Sequence, residues 1–443
     1  MNQFERHPPG DALKNLTSPR RWLILSHGYN MDGRAASQTI TDKIPHLQAA
    51  GLELQVLSAV TGSLDRRVAH RQLLPWGASG FRFDFRHWLR LRIGKGPAYR
   101  LLVLVATLVL GPFILLERGL LGLTSQWSWA LPAAMVGVWR VRRKRVDLVY
   151  STGGAWSAHL AGWWIKRLTG VSWIAEIHDP MIAPGKTGKF SREERARAWL
   201  EKKICADADR VWWFTEGAYQ SALGRHPRLG ERGFAVLAGA EPPPIRGEHR
   251  YGDTLDIGHF GSLAAGRTLI PFLGSWAEFL HEEPKAVNVI RLHIYGACLD
   301  DGSAHAVREL GLADKVAAHG RLERDPETGL SGREQVMLHM QACDVLLLLH
   351  GMDPVCAEYI PSKFYEYLWA RRPVFALTHL NSQLDALVEA RHGYLAPATD
   401  PAAVLVQLRK LWLDWQTHAL PEPPLGPISV GEAVQTILAR LCD

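Results

Sequence analysis

The chain has 443 residues, of which 47% are hydrophobic and 21% are charged, a composition that excludes a disordered protein and fits two or three globular domains. Its five cysteines are scattered, with no Cys-x-x-Cys pair and no close histidine cluster, so neither a disulfide framework nor a zinc site is indicated and a reducing compartment is expected. The net charge of +7 is uneven, since residues 82–145 carry twelve basic residues against two acidic ones, which points to a local anionic partner.

The first 60 residues predict the opening unit of a doubly wound parallel sheet. The N-terminal stretch is polar, so we expect no secretory signal and a cytoplasmic location. A strand over 22–26 is followed by a glycine-containing loop, a helix up to Gly51 and a second strand over 54–58. Gly33 in that loop either lets a backbone amide approach a phosphate or simply makes a turn, and the loop lacks the GxGxxG dinucleotide motif.

Residues 82–125 mix basic, aromatic and apolar side chains and predict a membrane-associating segment. Residues 101–116 (LLVLVATLVLGPFILL) are uncharged but short of the roughly 20 residues that span a bilayer, and Gly111-Pro112 should break a helix. We therefore predict a dip into one leaflet, with flanking basic residues at anionic headgroups and tryptophans at the interface. Two alternatives are a membrane hairpin of 101–116 with 119–139 and a buried core helix. A nucleic-acid surface is disfavoured, because sixteen apolar residues interrupt the basic stretch.

Strand and helix alternate again after residue 146. The segments LVYST, VSWIAEI and RVWWF predict three further strands. His178 and Asp179 directly follow VSWIAEI, at a strand end where open α/β sheets bind ligands. His178 could donate to a sugar hydroxyl or carbonyl, or it could bond to the local backbone. The run PGKTGK at 184–189 is not a phosphate loop, because Pro180 stands where that motif needs glycine.

The stiff run EPPP at 241–244 marks a linker, so we predict one domain over 1–243 and another over 244–443. Apolar runs then alternate with helical patterns, which predicts a second parallel sheet with helices on both faces and a cleft between the two domains. Arg267 lies in the loop after the first strand of this sheet. Its planar guanidinium could reach a diphosphate, or it could lie on the surface.

The stretch EYIPSKFYEY, which begins at Glu358, carries the most informative pattern. Pro361 favours a helix start, and the free amides near Ser362 and Lys363 would form an anion site at the positive end of the helix dipole. Glu358 precedes this site, and Glu366 follows it by about one turn. Carboxylates suit hydroxyls and helix amides suit phosphate, so the pattern fits a nucleotide-sugar. Two solvated surface glutamates would also satisfy it.

These motifs resemble the GT-B glycosyltransferases of glycosyltransferase family four, a large retaining group that uses nucleotide-sugars. The segment CDVLLLLHGMDPVCAEYIPSKFYEYLWARRPVFALT resembles the most recognisable block of that family. The segment DLVYSTGGAWSAHLAGWWIKRLTGVSWIAEIHDP resembles the N-domain of bacterial members that build envelope polysaccharides. The resemblance covers most of 20–410 except 61–125, and it implies an α/β fold with two Rossmann-like, doubly wound parallel-sheet domains.

The resemblance also implies roles for individual residues. Glu366 would hold the ribose hydroxyls, and Glu358 would contact the transferred sugar near the reaction centre. Arg267 takes the place of the usual phosphate-binding lysine, while Ser262 stands where the family usually has arginine, which shifts diphosphate charge onto Arg267. The remaining implied site residues are Ser362 and Lys363 at the diphosphate, Gly33 facing the donor, and His178 with Asp179 at the reaction centre.

The implied function is sugar transfer with retention, from a nucleotide-sugar to a lipid-linked or saccharide acceptor at the cytoplasmic face of the membrane. Such an enzyme needs no metal and no cofactor. Its partners would be the donor, the acceptor and an anionic membrane surface, and not nucleic acid. The alternatives are a GT-B-shaped epimerase or phosphorylase, which would act without a lipid acceptor, and a non-catalytic membrane-docking protein, which would bind no nucleotide.

Overall fold

The structure is a computed structural model that describes residues 21–31, 34–123, 126–186, 188–249, 251–263, 266–296 and 298–442. It divides into two compact units. The first comprises the described residues of Met1–Ile182, Lys186–Leu237 and Val430–Asp443, and the second comprises those of Ala183–Gly185 and Ala238–Ser429.

The first unit contains a seven-stranded parallel sheet in the order β3-β2-β1-β4-β5-β6-β7. Its strands are β1 Arg21–Leu25, β2 Glu53–Ala59, β3 Ala69–Leu73, β4 Leu148–Thr152, β5 Ser172–Ile177, β6 Arg210–Trp213 and β7 Gly233–Ala235. The chain order reverses between β1 and β4, so the loops after these two strands meet where doubly wound sheets bind ligands. The predicted strands of this half are confirmed, while β3 and β7 lie outside the prediction.

Seven helices precede the second unit in the described chain. They are α1 Ala35–Ala49, α2 Ala78–Ile93, α3 Pro97–Leu121, α4 Ala130–Arg142, α5 Ser157–Thr169, α6 Arg192–Asp207 and α7 Glu216–Arg225. The predicted apolar face of α1 is buried through Ile40, Ile44 and Leu47, whose spacing follows the helical repeat. α6 begins at a capping box formed by Ser191 and Glu194, as its sequence favours.

α3 differs from its prediction in two ways. It runs unbroken through Gly111-Pro112, so the expected break there is wrong, because one proline removes a single backbone bond from a helix of 25 residues. All of Pro97–Leu121 is described and none of it is buried, so the buried-core alternative is wrong as well. Its mean hydropathy of 2.2 makes the helix long and apolar enough to cross a membrane by length and composition alone.

The stretch 119–139 does not form the second arm of a membrane hairpin. Its helical part, α4, packs on α5 and buries Ala130, Ala133 and Gly137. A side chain at Gly137 would come within 2.3 Å of Ile165, so glycine is required for this close packing. α4 is therefore a helix of the soluble sheet, as predicted for 129–145.

The second unit contains a six-stranded parallel sheet in the order β10-β9-β8-β11-β12-β13. Its strands are β8 Leu255–Phe260, β9 Ile290–Tyr295, β10 Val316–Gly320, β11 Val345–Leu349, β12 Val374–Thr378 and β13 Tyr394–Pro397. Its helices are α8 Ile270–Glu282, α9 Asp301–Glu309, α10 Gly332–Ala342, α11 Ser362–Ala370, α12 Ser382–Glu389 and α13 Pro401–Gln416. The chain order reverses between β8 and β11, which places a second switch point there.

The C-terminal helix, α14 Val430–Cys442, belongs to the first unit. Its apolar face, with Val430, Val434 and Ile437, joins the core that contains Ile40 and Ile44 of α1. The sequence predicted a single boundary between residues 243 and 244, with all later residues in the second domain. The structure instead passes to the second unit after residue 237 and returns at residue 430, because α14 packs against α1.

Candidate functional site

Two loops of the second unit meet at the ends of β8 and β11. The carbonyl of Gly266, in the loop after β8, accepts a hydrogen bond from the Met352 amide, in the loop after β11, at 2.9 Å. A side chain at Gly266 would come within 2.3 Å of the Asp353 carboxylate, so the two loops lie close together there. The two loops therefore form a single edge at the switch point of the sheet.

α11 begins at this edge, at Ser362 as predicted. Pro361 precedes it with φ −59°, and within the described chain no side chain caps its first amides. Tyr367 fixes the depth of the helix, since its buried hydroxyl accepts from the Phe260 amide at 3.0 Å and donates to the Leu347 carbonyl at 3.2 Å. α11 is therefore packed against the end of β8 and the middle of β11, and the positive end of its dipole, at Ser362, favours an anion.

Glu358 is the last residue of a short 3₁₀ helix, Pro354–Glu358, in the constrained segment just before α11, and it is 7% exposed. The Asn381 side-chain amide donates to the carbonyls of Cys356 and Tyr359, both at 2.8 Å. The Tyr359 carbonyl also accepts from Nε2 of His350 at 2.9 Å. A buried carboxylate on a loop fixed in this way is not the solvated surface residue that the alternative interpretation required.

Glu366 lies one turn inside α11 and is 6% exposed. It forms an ion pair with Lys363, three residues earlier on the same helix, a spacing that brings side chains together. The prediction gave these side chains separate ligands, ribose hydroxyls and a diphosphate, whereas the structure pairs them with each other. The Lys363 side chain is 33% exposed, so the ammonium can turn towards an anion while Glu366 stays buried.

Arg267 lies half-buried in the loop after β8. Burial lowers the pKa of His259, in β8, to about 4, and the charges of Arg267 and Lys363 add to that effect. Burial also lowers the pKa of His350, after β11, and Arg267 again contributes. Both imidazoles are therefore neutral at neutral pH. The positive charges of Arg267 and Lys363 therefore both disfavour the protonated form of His259.

In the first unit, His178 and Asp179 follow β5 and lie beside the loop after β4. That loop contains Gly153, whose φ of +112° favours glycine, and Gly154. A side chain at Gly154 would come within 3.8 Å of the Asp179 carboxylate. Both glycines line a cavity of about 280 Å³ together with His178 and Asp179. The two predicted residues therefore share one cavity at the strand ends.

A buried network fixes the orientation of His178. Glu176, fully buried in β5, accepts hydrogen bonds from Nε2 of His178 at 2.9 Å, from Thr152 at 2.6 Å and from Trp212 at 2.9 Å. It also forms an ion pair with Lys43 of α1. Burial alone would raise the pKa of Glu176, but Lys43 and His178 hold it well below 4.5. Because Nε2 of His178 is bonded to Glu176, only Nδ1 remains for a ligand.

Lys43 and Glu176 were not predicted as functional residues, although the sequence contains a signal for each. Lys43 lies on the apolar face of α1, next to Ile44. Glu176 interrupts the otherwise apolar strand β5. One charge of each sign inside two buried elements is typical of a buried ion pair, because such residues are almost never buried without a partner.

The structure groups the predicted residues into two sets. The first set, in the second unit, is Arg267, Glu358, Ser362, Lys363 and Glu366, and the second set, in the first unit, is His178 and Asp179. Gly33 lies outside the described residues. The role of each of these residues stays a prediction.

Several solved structures share this fold. An α,α-trehalose-phosphate synthase (UDP-forming) from Burkholderia vietnamiensis has a TM-score of 0.59 at 10% identity, over 95% of this chain and 99% of that chain. TarM has a TM-score of 0.58 at 10% identity, over 95% of both chains. A mutant of TarM from S. aureus has a TM-score of only 0.47 at 13% identity, over 70% of this chain and 58% of that chain, and is not counted among the structures that share the fold. The lipopolysaccharide outer core galactosyltransferase WaaB has a TM-score of 0.53 at 11% identity, over 88% of this chain and 90% of that chain.

The sequence comparison concerns the first unit. No curated protein matches the chain in sequence. Residues 35–228 match the family described as Glycosyl transferase 4-like domain. Together with the two parallel sheets, this match confirms the resemblance predicted from the sequence. Residues 35–228 are therefore similar to a glycosyl transferase 4-like domain, and the chain has the two-sheet GT-B fold.

Proposed function

We propose that this chain is a retaining glycosyltransferase of envelope polysaccharide synthesis, which moves a hexosyl or N-acetylhexosaminyl group from a nucleotide-sugar to a lipid-linked or saccharide acceptor at the cytoplasmic face of the membrane. One observation carries the proposal. Two buried glutamates, Glu358 and Glu366, flank the uncapped start of α11 at the switch point of the second sheet. Buried carboxylates suit hydroxyls, and the helix amides with Arg267 suit a diphosphate.

The spacing of these groups fits the parts of a nucleotide-sugar. Four residues of helix rise about 6 Å, so Glu366 lies about one turn from the amides at Ser362. A diphosphate at those amides therefore leaves the ribose hydroxyls within reach of Glu366. Glu358, on the other side of the helix start, would meet the transferred sugar.

The proposed chemistry breaks the bond between the anomeric carbon and the diphosphate oxygen, while an acceptor hydroxyl bonds to that carbon and passes its proton to the departing diphosphate. Negative charge then develops on the departing diphosphate. Arg267, Lys363 and the amides of α11 would stabilise that charge, with the Lys363 ammonium turning towards it, and would so lower the barrier by positioning and electrostatic stabilisation. Metal-independent transfer stays a prediction.

The cavity of the first unit is the proposed acceptor site. Nδ1 of His178 and the exposed Asp179 carboxylate offer hydrogen-bonding groups to an acceptor hydroxyl. Trp156 contributes an aromatic surface, and its indole N–H is buried without a partner among the described residues. Gln126 lines the same cavity only five residues after the last residue of α3. This proximity to the apolar helix supports a lipid-linked acceptor.

A thermal-shift screen of the full chain against nucleotide-sugars tests the proposed donor site. At a ligand concentration 100 times Kd, binding to the folded state raises the free energy of unfolding by about 2.7 kcal/mol, which should raise the Tm of a unit of this size by about 5–10 °C. We expect one nucleotide class to give this shift, as sugar and as free diphosphate, and the free sugar to give none. No shift with any nucleotide-sugar would contradict the proposal.

Product analysis with the identified donor then separates transfer from the alternatives. Transfer should require an acceptor and should retain the anomeric configuration. An epimerised or phosphorolysed sugar formed without an acceptor would favour the epimerase or phosphorylase instead.

A further inference from the structure

α2 and α3 form an antiparallel helical hairpin on the first unit. Near the middle of the hairpin, the Arg82 guanidinium donates to the Thr107 hydroxyl at 2.8 Å. At its attached end, the backbone amide and hydroxyl of Ser79 donate to the Glu117 carboxylate at 2.9 Å and 2.6 Å. The turn at residues 94–96 is therefore the free tip of the hairpin.

One face of α3 lies against α2, and the remainder is apolar and exposed. Half-buried positions recur at helical spacing, as at Val103, Leu110, Ile114 and Glu117. The exposed face includes Leu101, Leu104, Leu108, Phe113, Leu115 and Leu120, each between 54% and 71% exposed. Soluble monomers rarely expose a continuous apolar surface of this length, so this face requires an apolar partner.

The hairpin is also strongly basic. Residues 78–121 contain seven basic residues against two acidic ones. Several basic residues accompany aromatic rings, as where the Arg92 guanidinium lies 4.9 Å from the ring centroid of Trp88. An apolar helix with basic and aromatic residues beside it is typical of a segment that lies in the interface of an anionic membrane.

We propose that the α2–α3 hairpin lies flat within a single anionic leaflet and does not cross the bilayer. The exposed face of α3 enters the acyl region, while the arginines of α2 and Lys95 at the tip bind lipid headgroups. The choice of membrane face rests on the proposed function. The contacts from which we infer the orientation of the hairpin do not involve the donor site.

α3 alone would satisfy the length requirement for a membrane span, because 25 residues of helix extend about 37 Å. α2 excludes that arrangement. If α3 crossed the bilayer, the arginines that α2 carries beside it would enter the hydrocarbon, where charged side chains are rare and costly. Lys95 at the tip would also have to pass to the opposite face.

α2 is moreover fixed to the body of the first unit. Asp84 on α2 is fully buried, and its carboxylate lies 3.5 Å from Nε2 of His27, which follows β1. Leu89, further along the helix, is buried as well. The helix cannot enter a bilayer without leaving these contacts, so α2 stays between the folded unit and α3, which places α3 along the membrane surface.

Flotation with lipid vesicles tests the surface without any donor or transfer step. Wild-type protein should bind vesicles of phosphatidylcholine with phosphatidylglycerol, and bind pure phosphatidylcholine more weakly. Leu108→Glu combined with Leu115→Glu should reduce the bound fraction at least about tenfold, because both leucines would carry charge into the acyl region. Leu413→Glu, at a leucine of α13 that is 59% exposed, is the matched control and should bind as wild type. No binding, or equal binding by the double variant with unchanged circular dichroism, would overturn the proposal.

Labelling of the tip tests whether the hairpin crosses. Lys95→Cys is introduced together with Cys298→Ser and Cys442→Ser, which removes the two exposed cysteines, while the other three are buried. Protein bound to the outside of sealed vesicles is treated with a membrane-impermeant maleimide. We expect Cys at position 95 to label as completely as in detergent. A tip protected until the vesicles are opened would show that the hairpin spans the bilayer. Because neither experiment uses a nucleotide-sugar, their failure is distinguishable from failure of the proposed transfer.

Discussion

Replacing Glu366 with glutamine should lower kcat/KM for sugar transfer by at least about 100-fold. The neutral amide keeps the size of the side chain but loses the charge that would accept both ribose hydroxyls. Two charged hydrogen bonds at about 1.5 kcal/mol each amount to about 3 kcal/mol, which is roughly a factor of 100. Initial rates with the donor found by thermal shift measure the effect, and calorimetric Kd values show how much of it is donor affinity.

Glu389→Gln is the matched control for this substitution, because Glu389 is an exposed glutamate on α12 of the same unit. It should leave rates and donor affinity at wild-type values. Wild-type turnover and affinity for Glu366→Gln would refute the role assigned to this carboxylate.

Replacing Lys43 with methionine should lower the free energy of unfolding by about 3–5 kcal/mol, the usual cost of removing one partner from a buried ion pair. The substitution leaves the carboxylate of Glu176 buried without its cation. His178, which donates to that carboxylate, should lose its fixed orientation at the same time. Urea unfolding of the full chain at neutral pH, followed by tryptophan fluorescence, measures the change, since Trp212 also bonds to Glu176.

A second substitution and a pH series separate the ion pair from simple loss of packing. Lys43→Met with Glu176→Gln should recover most of the lost stability, and Lys202→Met, at an exposed lysine of α6, should have little effect. The pKa of Glu176 is lower in the folded state than its ordinary value of 4.5. The stability that its ionised carboxylate contributes is therefore complete above pH 4.5 and is lost as the pH falls from there towards the pKa of the folded state. The stability difference between wild type and Lys43→Met should therefore narrow in acid. Equal stability of the two at neutral pH would contradict the account.

Apolar runs were sufficient to predict most strands, because the strands of parallel sheets are buried on both faces. β3 was not predicted, because its sequence, AHRQL, is polar and only its last residue is buried. α2 was not predicted either, because it lies between the folded unit and α3 and its apolar residues therefore do not form a single stripe. The helix break predicted at Pro112 was wrong, because the remaining backbone hydrogen bonds of a long helix outweigh the one that proline removes.

The start of α11 was predictable because its signals are local, in Pro361 and the residues that follow. The side chains that fix the site are distant in sequence. Asn381 reaches back to Cys356 across 25 residues, and Tyr367 reaches Phe260 across 107. The ion pair beneath His178 joins residues 133 positions apart. Such contacts depend on the packing of whole elements, which periodicity and spacing do not specify.

A crystal structure with the bound nucleotide-sugar would show whether Glu358 and Glu366 bind the donor. We expect the diphosphate at the first amides of α11 and at Arg267, with the ribose hydroxyls on Glu366 and the sugar beside Glu358. A nucleotide that binds elsewhere, with neither carboxylate in contact with it, would contradict the account.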